Sequence, residues 1–244
     1  MRLRASLLVL FLTLTAVVLA QNSSKFEDAQ GRAQDAARII SQLAEAAESD
    51  LPKELVDRAQ AIAVFPTVRK ESVMFARMSQ GYGVISARTE TGWTLPAFYQ
   101  FFGGGYGNPF GKAETSAILM LFMTKDAVSW FEKGGVQLKN EKMAIEGPVG
   151  TLSDEQRKEI AGAQILAYAY YDGRLSGKAF GKSFWKKFLL DPDNNINTPL
   201  YGMKGREVLS GKQISDPAAV PSTIPAFTDA LRKYYSAPKT ATTN

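Results

Sequence analysis

Hydrophobic residues recur in this chain with two periods, and the change from one to the other predicts its elements. Phe26, Ala29, Ala33, Ala36, Ile40, Leu43 and Ala47 fall at helical intervals behind Ser24 and Glu27, which have capping-box spacing. This predicts an amphipathic helix over residues 21–49. Its stripe is mostly alanine and admits two readings, a cover for the core or an exposed membrane face, the latter normally built from larger apolar residues. A second short helix is predicted through Pro52 to Ala59.

Strand patterns follow. Residues 61–65, stopped by Pro66, and residues 73–78 are two short apolar runs. Residues 84–88 and 93–102 form a hairpin pattern about the turn at 89–92, and the continuous run SAILMLFM at 116–123 suits a strand buried on both faces. Thr124 starts a short helix that Gly134 and Gly135 end. Further strands are expected at 143–146, 164–171 and 179–184, with a solvated loop or exposed helical turn at 151–160. Residues 190–198 read as an Asp/Asn/Pro-rich loop, Val208 and Leu209 as a helical turn, and residues 222–235 as a final amphipathic helix carrying Ile224, Phe227, Leu231 and Tyr234. Neither a repeat nor a composition break divides this pattern. The expected fold is α+β: a single domain with a curved antiparallel sheet, barrel- or sandwich-like, of about seven or eight strands flanked by N- and C-terminal helices.

Composition changes the picture at the N-terminus first. Arg2 and Arg4 precede an uncharged run that closes on Val18-Leu19-Ala20, so residues 1–20 read as a secretory signal peptide cleaved before Gln21. The domain then occupies residues 50–235, and residues 236–244 are an expected disordered tail. The protein is expected to be exported, periplasmic or secreted. Loss of two arginines from 29 basic against 24 acidic side chains lowers the formal charge from +5 to +3, too weak to argue for a nucleic-acid partner. The chain has no cysteine and no histidine. Stability must therefore come from an apolar core without disulfides, and the usual zinc ligands and Ser-His or Cys-His pairs are missing. No paired-acid motif takes their place, so the reading is of a non-enzymatic protein with no cofactor and no metal.

Residues 81–111 hold eight of the twenty glycines. Tyr106 and Ala113 stand where a Walker A loop ending at Gly111-Lys112 needs Gly and Ser/Thr, and Asn108 and Phe110 break the dinucleotide fingerprint. A structural corner is the expectation, with Arg88, Trp93 and Tyr106 presented by it. Ser183 and Lys186 have S-x-x-K spacing without the companion elements of an acyl enzyme. Asp191, Asp193 and Asn195 begin like a calcium loop, but Ile196 and Gly202 occupy its sixth and twelfth positions.

Residues 174–188 are more informative. Arg174, Lys178, Lys182, Lys186 and Lys187 are interleaved with Phe180, Phe184, Trp185 and Phe188. Cations with adjacent aromatics suit an anionic lipid surface, the charges meeting head groups while rings enter the interface. Arg174, Lys178, Lys182, Trp185, Lys186 and Lys187 are the candidate lipid-binding residues. The other reading is a strand whose aromatics face the core and whose lysines are solvated.

Several motifs together resemble the SYLF-domain family, a lipid-binding module of secreted bacterial proteins and of eukaryotic proteins that link membranes to actin. They are ELVDRAQAIAVFP at 54–66, Gly81-Tyr82-Gly83-Val84 with Arg88, Gly92-Trp93 with Pro96-Ala97, the glycines from 103 to 111, the buried strand followed by Ala127-Val128 and Phe131, Gly147-Pro148-Val149-Gly150, and Tyr201-Gly202. They span roughly residues 50–212. The resemblance implies binding of phosphoinositides or other anionic lipids, aided by an amphipathic N-terminal segment; for an exported chain it reduces to generic anionic-lipid or membrane-surface binding, peripheral to a membrane. The alternative is a protein-interaction or envelope scaffold whose partner uses the alanine-striped helix.

Overall fold

The computed structural model describes residues 2–46, 51–73, 76–106, 114–132, 136–137, 144–171, 173–176 and 188–235. The expected strand at 179–184 and the tail at 236–244 lie outside them. The elements are α1 (Arg2–Glu45), α2 (Lys53–Arg58), β1 (Ala61–Val73), β2 (Ala76–Thr89), β3 (Gly92–Trp93), β4 (Ala97–Tyr106), β5 (Glu114–Phe122), α3 (Lys125–Glu132), β6 (Val136–Gln137), β7 (Ala144–Glu146), α4 (Asp154–Ile160), β8 (Ile165–Tyr171), β9 (Arg174–Ser176), β10 (Phe188–Pro192), α5 (Asn194–Tyr201), α6 (Gly205–Leu209) and α7 (Ala226–Tyr234). The fold is α+β, as expected. One curled sheet runs β6-β10-β4-β2-β1-β5-β8-β7, with β3 added on β2 and β9 on β8. Pairing is antiparallel except between β7 and β8, which makes the sheet mixed.

The core follows from the apolar runs. Residues 117–122 of β5 and 165–169 of β8 are all buried, so these two neighbours are covered on both faces, as a continuous apolar run requires. The stripe of α1 settles against α7, β1 and β2, with Ala29, Ala33 and Ala36 fully buried and Ile40 and Leu43 nearly so. Alanine brings the helix axis close to its neighbours, and each methyl removes little area from water. The α1 stripe therefore covers the core. From the opposite end of the chain α7 adds Phe227 and Leu231, and the turn that leads into it adds Ile224, all fully buried.

Pro66 does not end a strand. β1 runs through it, because the register slips by one residue: Val64 faces Val84 and Thr67 faces Tyr82, while on the other side Phe65 faces Ile118 and Val68 faces Ser116. This β-bulge leaves one residue unpaired, and a residue without an N–H occupies it at no cost in ladder bonds. The bulge pushes β1 toward β2. A Cβ on Gly83 would stand 2.2 Å from the Val64 carbonyl oxygen, and one on Gly81 2.7 Å from that of Thr67. Gly81 and Gly83 are thus the complement of Pro66 in the facing strand. Gly103, Gly104 and Gly105, expected at a corner, lie in β4 opposite Ser79, Met78 and Arg77. Gly107 and Gly111 are outside the described residues.

One further expectation is revised. Residues 190–198 are not loop but the end of β10 and the start of α5. Among the described residues β6 pairs with Leu189 and Leu190 alone, and Pro192 pairs with Tyr99 of β4, a place at the end of a strand where a residue without an N–H is tolerated. Asn197 then holds α5 to β4, its amide accepting from the Phe98 N–H and donating to the Phe98 carbonyl, both at 2.8 Å. Of the two readings of residues 151–160, the exposed helical one holds: residues 154–160 form α4 behind a complete Ser153–Gln156 capping box.

Gly83→Ala should cost about 3 kcal/mol or more of unfolding free energy, because its new methyl meets backbone that the bulge holds in place. Gly31→Ala, where nothing lies within 4 Å of the added Cβ on α1, should instead stabilise by about 0.5–1 kcal/mol. Urea denaturation of the two variants checks both signs.

Candidate functional site

Of the six candidate lipid-binding residues, Arg174 is described: it sits exposed in β9 opposite Tyr171, which is also exposed. Lys178, Lys182, Trp185, Lys186 and Lys187 lie outside the described residues. At the end of that segment Phe188 turns inward, buried in β10 and stacked on Phe101 at 5.7 Å, so this aromatic belongs to the core rather than to an interface. Phe188 pairs with Gly103, which places the start of β10 beside the end of β4.

That end of the sheet carries an open surface. Residues opposite one another in a ladder share a face, and so do alternate residues along a strand. Arg69 faces Gln80, Glu71 faces Met78, Gln80 faces Phe102, and Phe102 faces Leu189. One face beyond the bulge therefore collects Arg69, Glu71, Met78, Tyr82, Phe102 and Leu189. Met78 is 61% exposed, Tyr82 39% and Leu189 37%. Large apolar side chains so exposed, on adjacent strands, call for an explanation.

α1 crosses this face and encloses a cleft of about 720 Å³ against it. Its anchor is Arg32, a side chain 13% exposed, which donates to the nearly buried Asp193 carboxylate at 2.9 Å and also bonds Asp28. The guanidinium lies 4.4 Å from the centre of the Tyr82 ring. One arginine thus joins α1 to the start of α5 and to β2, with its charge met by two carboxylates and a ring face. On the cleft wall, Asp35 pairs with Arg38 on α1, and Arg69 approaches Glu71 at 3.6 Å on the sheet. Gly31 lines the wall from inside a helix, the least favourable place for glycine, with open space where its side chain would be.

The residues presented by the glycine-rich stretch serve the opposite end of the sheet. The Arg88 guanidinium stacks on Trp93 at 4.2 Å and donates to the carbonyls of Ala59 and Val56, where the dipole of α2 ends. Burial lowers the Arg88 pKa, opposed by the nearby Asp57 carboxylate. Trp93 donates through Nε1 to the Tyr235 carbonyl, and Arg232 of α7 donates to that of Trp93. These groups pin α2, β3 and α7 together. Tyr106 is the last residue of β4. Asp191 and Asp193, which begin the calcium-like spacing, separate: Asp191 is on β10 and Asp193 is taken by Arg32. Among the described residues no group of three or more acids could hold a metal ion, and no helix is long and apolar enough to cross a membrane.

The cleft escapes sequence reasoning because its walls come from four separate elements. The signal that could have found it is Tyr82, a large ring between two glycines that must both lie against a neighbouring strand.

No family model matches the chain, and no solved structure matches it. Among curated proteins it is similar to LAS seventeen-binding protein 3 of Saccharomyces cerevisiae, 28% identical over 179 residues, which is 72% of this chain and 38% of the relative. It is also similar to Protein YSC84 of the same organism, 27% identical over 178 residues, 72% of this chain and 37% of the relative. The chain thus spans less than two fifths of the length of these relatives.

Asp193→Ala should cost about 2 kcal/mol, less than a fully buried pair because Asp28 stays with Arg32, and should raise amide exchange in α1 around residues 28–36. Alkaline pH offers a second measurement. Burial, then Asp57 and Tyr234, push the Tyr235 phenol up to about 12 from its usual 10, and burial also raises Tyr99, Tyr168 and Tyr201. A raised folded pKa contributes stability that is complete below the unfolded value, so unfolding free energy should hold to pH 10 and fall as pH rises toward 12. Denaturant titrations at pH 8 and 11 check this.

Proposed function

We propose, on the premise that the chain belongs to the SYLF-domain family, that it is an exported, non-enzymatic module that binds anionic lipid or membrane surfaces. The observation that carries this reading is the exposure of Met78, Tyr82 and Leu189 on one sheet face, at the end where β10 begins. The basic-aromatic residues 174–187 precede that strand directly in sequence. Apolar side chains enter the interface while neighbouring cations meet head groups, each cation contributing ~1 kcal/mol near an anionic bilayer. Arg174 and the lysines 178, 182, 186 and 187 are the cations of this reading, and Trp185 its interfacial ring.

A second reading is a protein partner, favoured by the name of one relative, which is called a binding protein for LAS seventeen. The alanine stripe of α1 is buried against the protein's own core, so such a partner would use another surface.

Flotation with liposomes decides between them. The protein should float with anionic vesicles, less so as salt rises, and not with neutral ones. Replacing Lys182, Lys186 and Lys187 together by Glu should weaken anionic binding by about a hundredfold or more, from ~1 kcal/mol per cation removed. Negligible flotation of the unaltered protein with every vesicle would sink the lipid reading. Export with cleavage before Gln21 is checked by the N-terminal sequence of the secreted protein, which should begin at Gln21.

A further inference from the structure

We propose that the cleft between α1 and the β1–β2–β4 face binds one single-chain zwitterionic phospholipid, its acyl chain along the floor and its phosphate and ammonium at the rim. This rests on the lipid-binding reading and goes beyond it. A surface site gathers many lipids by charge, whereas this cleft would take a single molecule out of the bilayer plane.

Size is the first argument. About 720 Å³ falls within the range of clefts that enclose small ligands. The floor is the second. Met78, Tyr82 and Phe102 supply the apolar surface, on one face of the β2 and β4 ladder. The strand backbone beneath them is already committed to ladders: β2 pairs with β1 and β4, β1 also with β5, and β4 also with β10. An extended peptide laid there would bury amides with few groups to receive them, which is costly. An acyl chain carries no such groups.

Charge selects the head. Arg32 already meets Asp28 and Asp193, so it has little left for a phosphate. Arg69, 70% exposed, remains on the sheet side, with Glu71 beside it and Asp35 across on α1. A rim of both signs suits a head that carries both, the phosphate toward Arg69 and the ammonium toward Glu71; a polyanionic head would meet a lining in which the carboxylates of Asp28, Asp35 and Glu71 outnumber the guanidiniums of Arg32 and Arg69.

Gly31 is the independent observation. Glycine inside a helix is normally explained by a close neighbour, but here nothing lies within 4 Å of the missing Cβ. Its side chain would project into the cleft. The glycine keeps the cleft open, which the protein's own packing does not require.

The test uses the full chain and 1-palmitoyl-lysophosphatidylcholine below its micelle concentration, followed by native mass spectrometry and calorimetry. We expect a 1:1 complex, and at least tenfold weaker binding by Gly31→Leu, which fills the cleft with an unchanged or higher melting temperature. Met78→Glu, at an exposed position, should weaken binding similarly, and keeps the test valid should Gly31→Leu fail to fold. Arg69→Glu should weaken the choline lipid several-fold, and lysophosphatidic acid of the same chain should bind less well than the choline lipid. Equal binding by the unaltered protein and both cleft variants would overturn the proposal, as would preference for lysophosphatidic acid or for a hydrophobic peptide. Flotation on anionic vesicles without any lysolipid complex would overturn the cleft and leave the surface reading standing. A lysolipid complex without flotation would do the reverse.

Discussion

The close approach of β1 and β2 is the constraint on which the rest of the molecule depends. A proline in a central strand would ordinarily break two ladders, and here it is absorbed by one unpaired residue. That device brings Val64 and Thr67 carbonyls to where any side chain on β2 would stand, so the facing positions must be Gly81 and Gly83. Tyr82, between them, points to the other face, where Arg32 lies over its ring. The bulge therefore does more than bend the sheet. It places the ring against which α1 is seated, and α1 in turn roofs the cleft.

The two ends of the sheet are finished differently. At one, Arg88 and Trp93 join α2, β3 and α7 through cation–π stacking and bonds to backbone carbonyls, and the apolar residues are covered. At the other, beyond the bulge, the strands continue past the core, and their outer face exposes Met78, Tyr82 and Leu189. Residues that look functional by type, an arginine stacked on a tryptophan in the glycine-rich stretch, belong to the closed end and hold the fold. The open end is built from residues that look ordinary by type.

Elements with a single strong period were legible in the sequence. β5, β8, α2 and α7 stand where their patterns put them, because burial on one stripe or on both faces leaves a pattern that local chemistry does not override. Pro66 misled because a proline's effect depends on whether its neighbours can form a bulge, and the residues that permit it are fifteen and seventeen positions away at Gly81 and Gly83. Residues 190–198 read as loop because Asp, Asn and Pro favour turns, yet Asn197 spends its amide on Phe98, ninety-nine positions earlier. The cleft was illegible for the same reason in stronger form: its anchor joins Arg32 to Asp193 across 161 positions.

The parallel pairing of β7 with β8 carries a consequence for the order in which the chain can be assembled. Ala144 to Glu146 lie beside Ile165 to Ala167 running the same way, and two parallel neighbours cannot be joined by a tight turn. The chain between them carries α4 instead. β8, buried from Ile165 to Ala169 and paired with β5 on its other side, therefore gains β7 as a neighbour only once that crossover has closed.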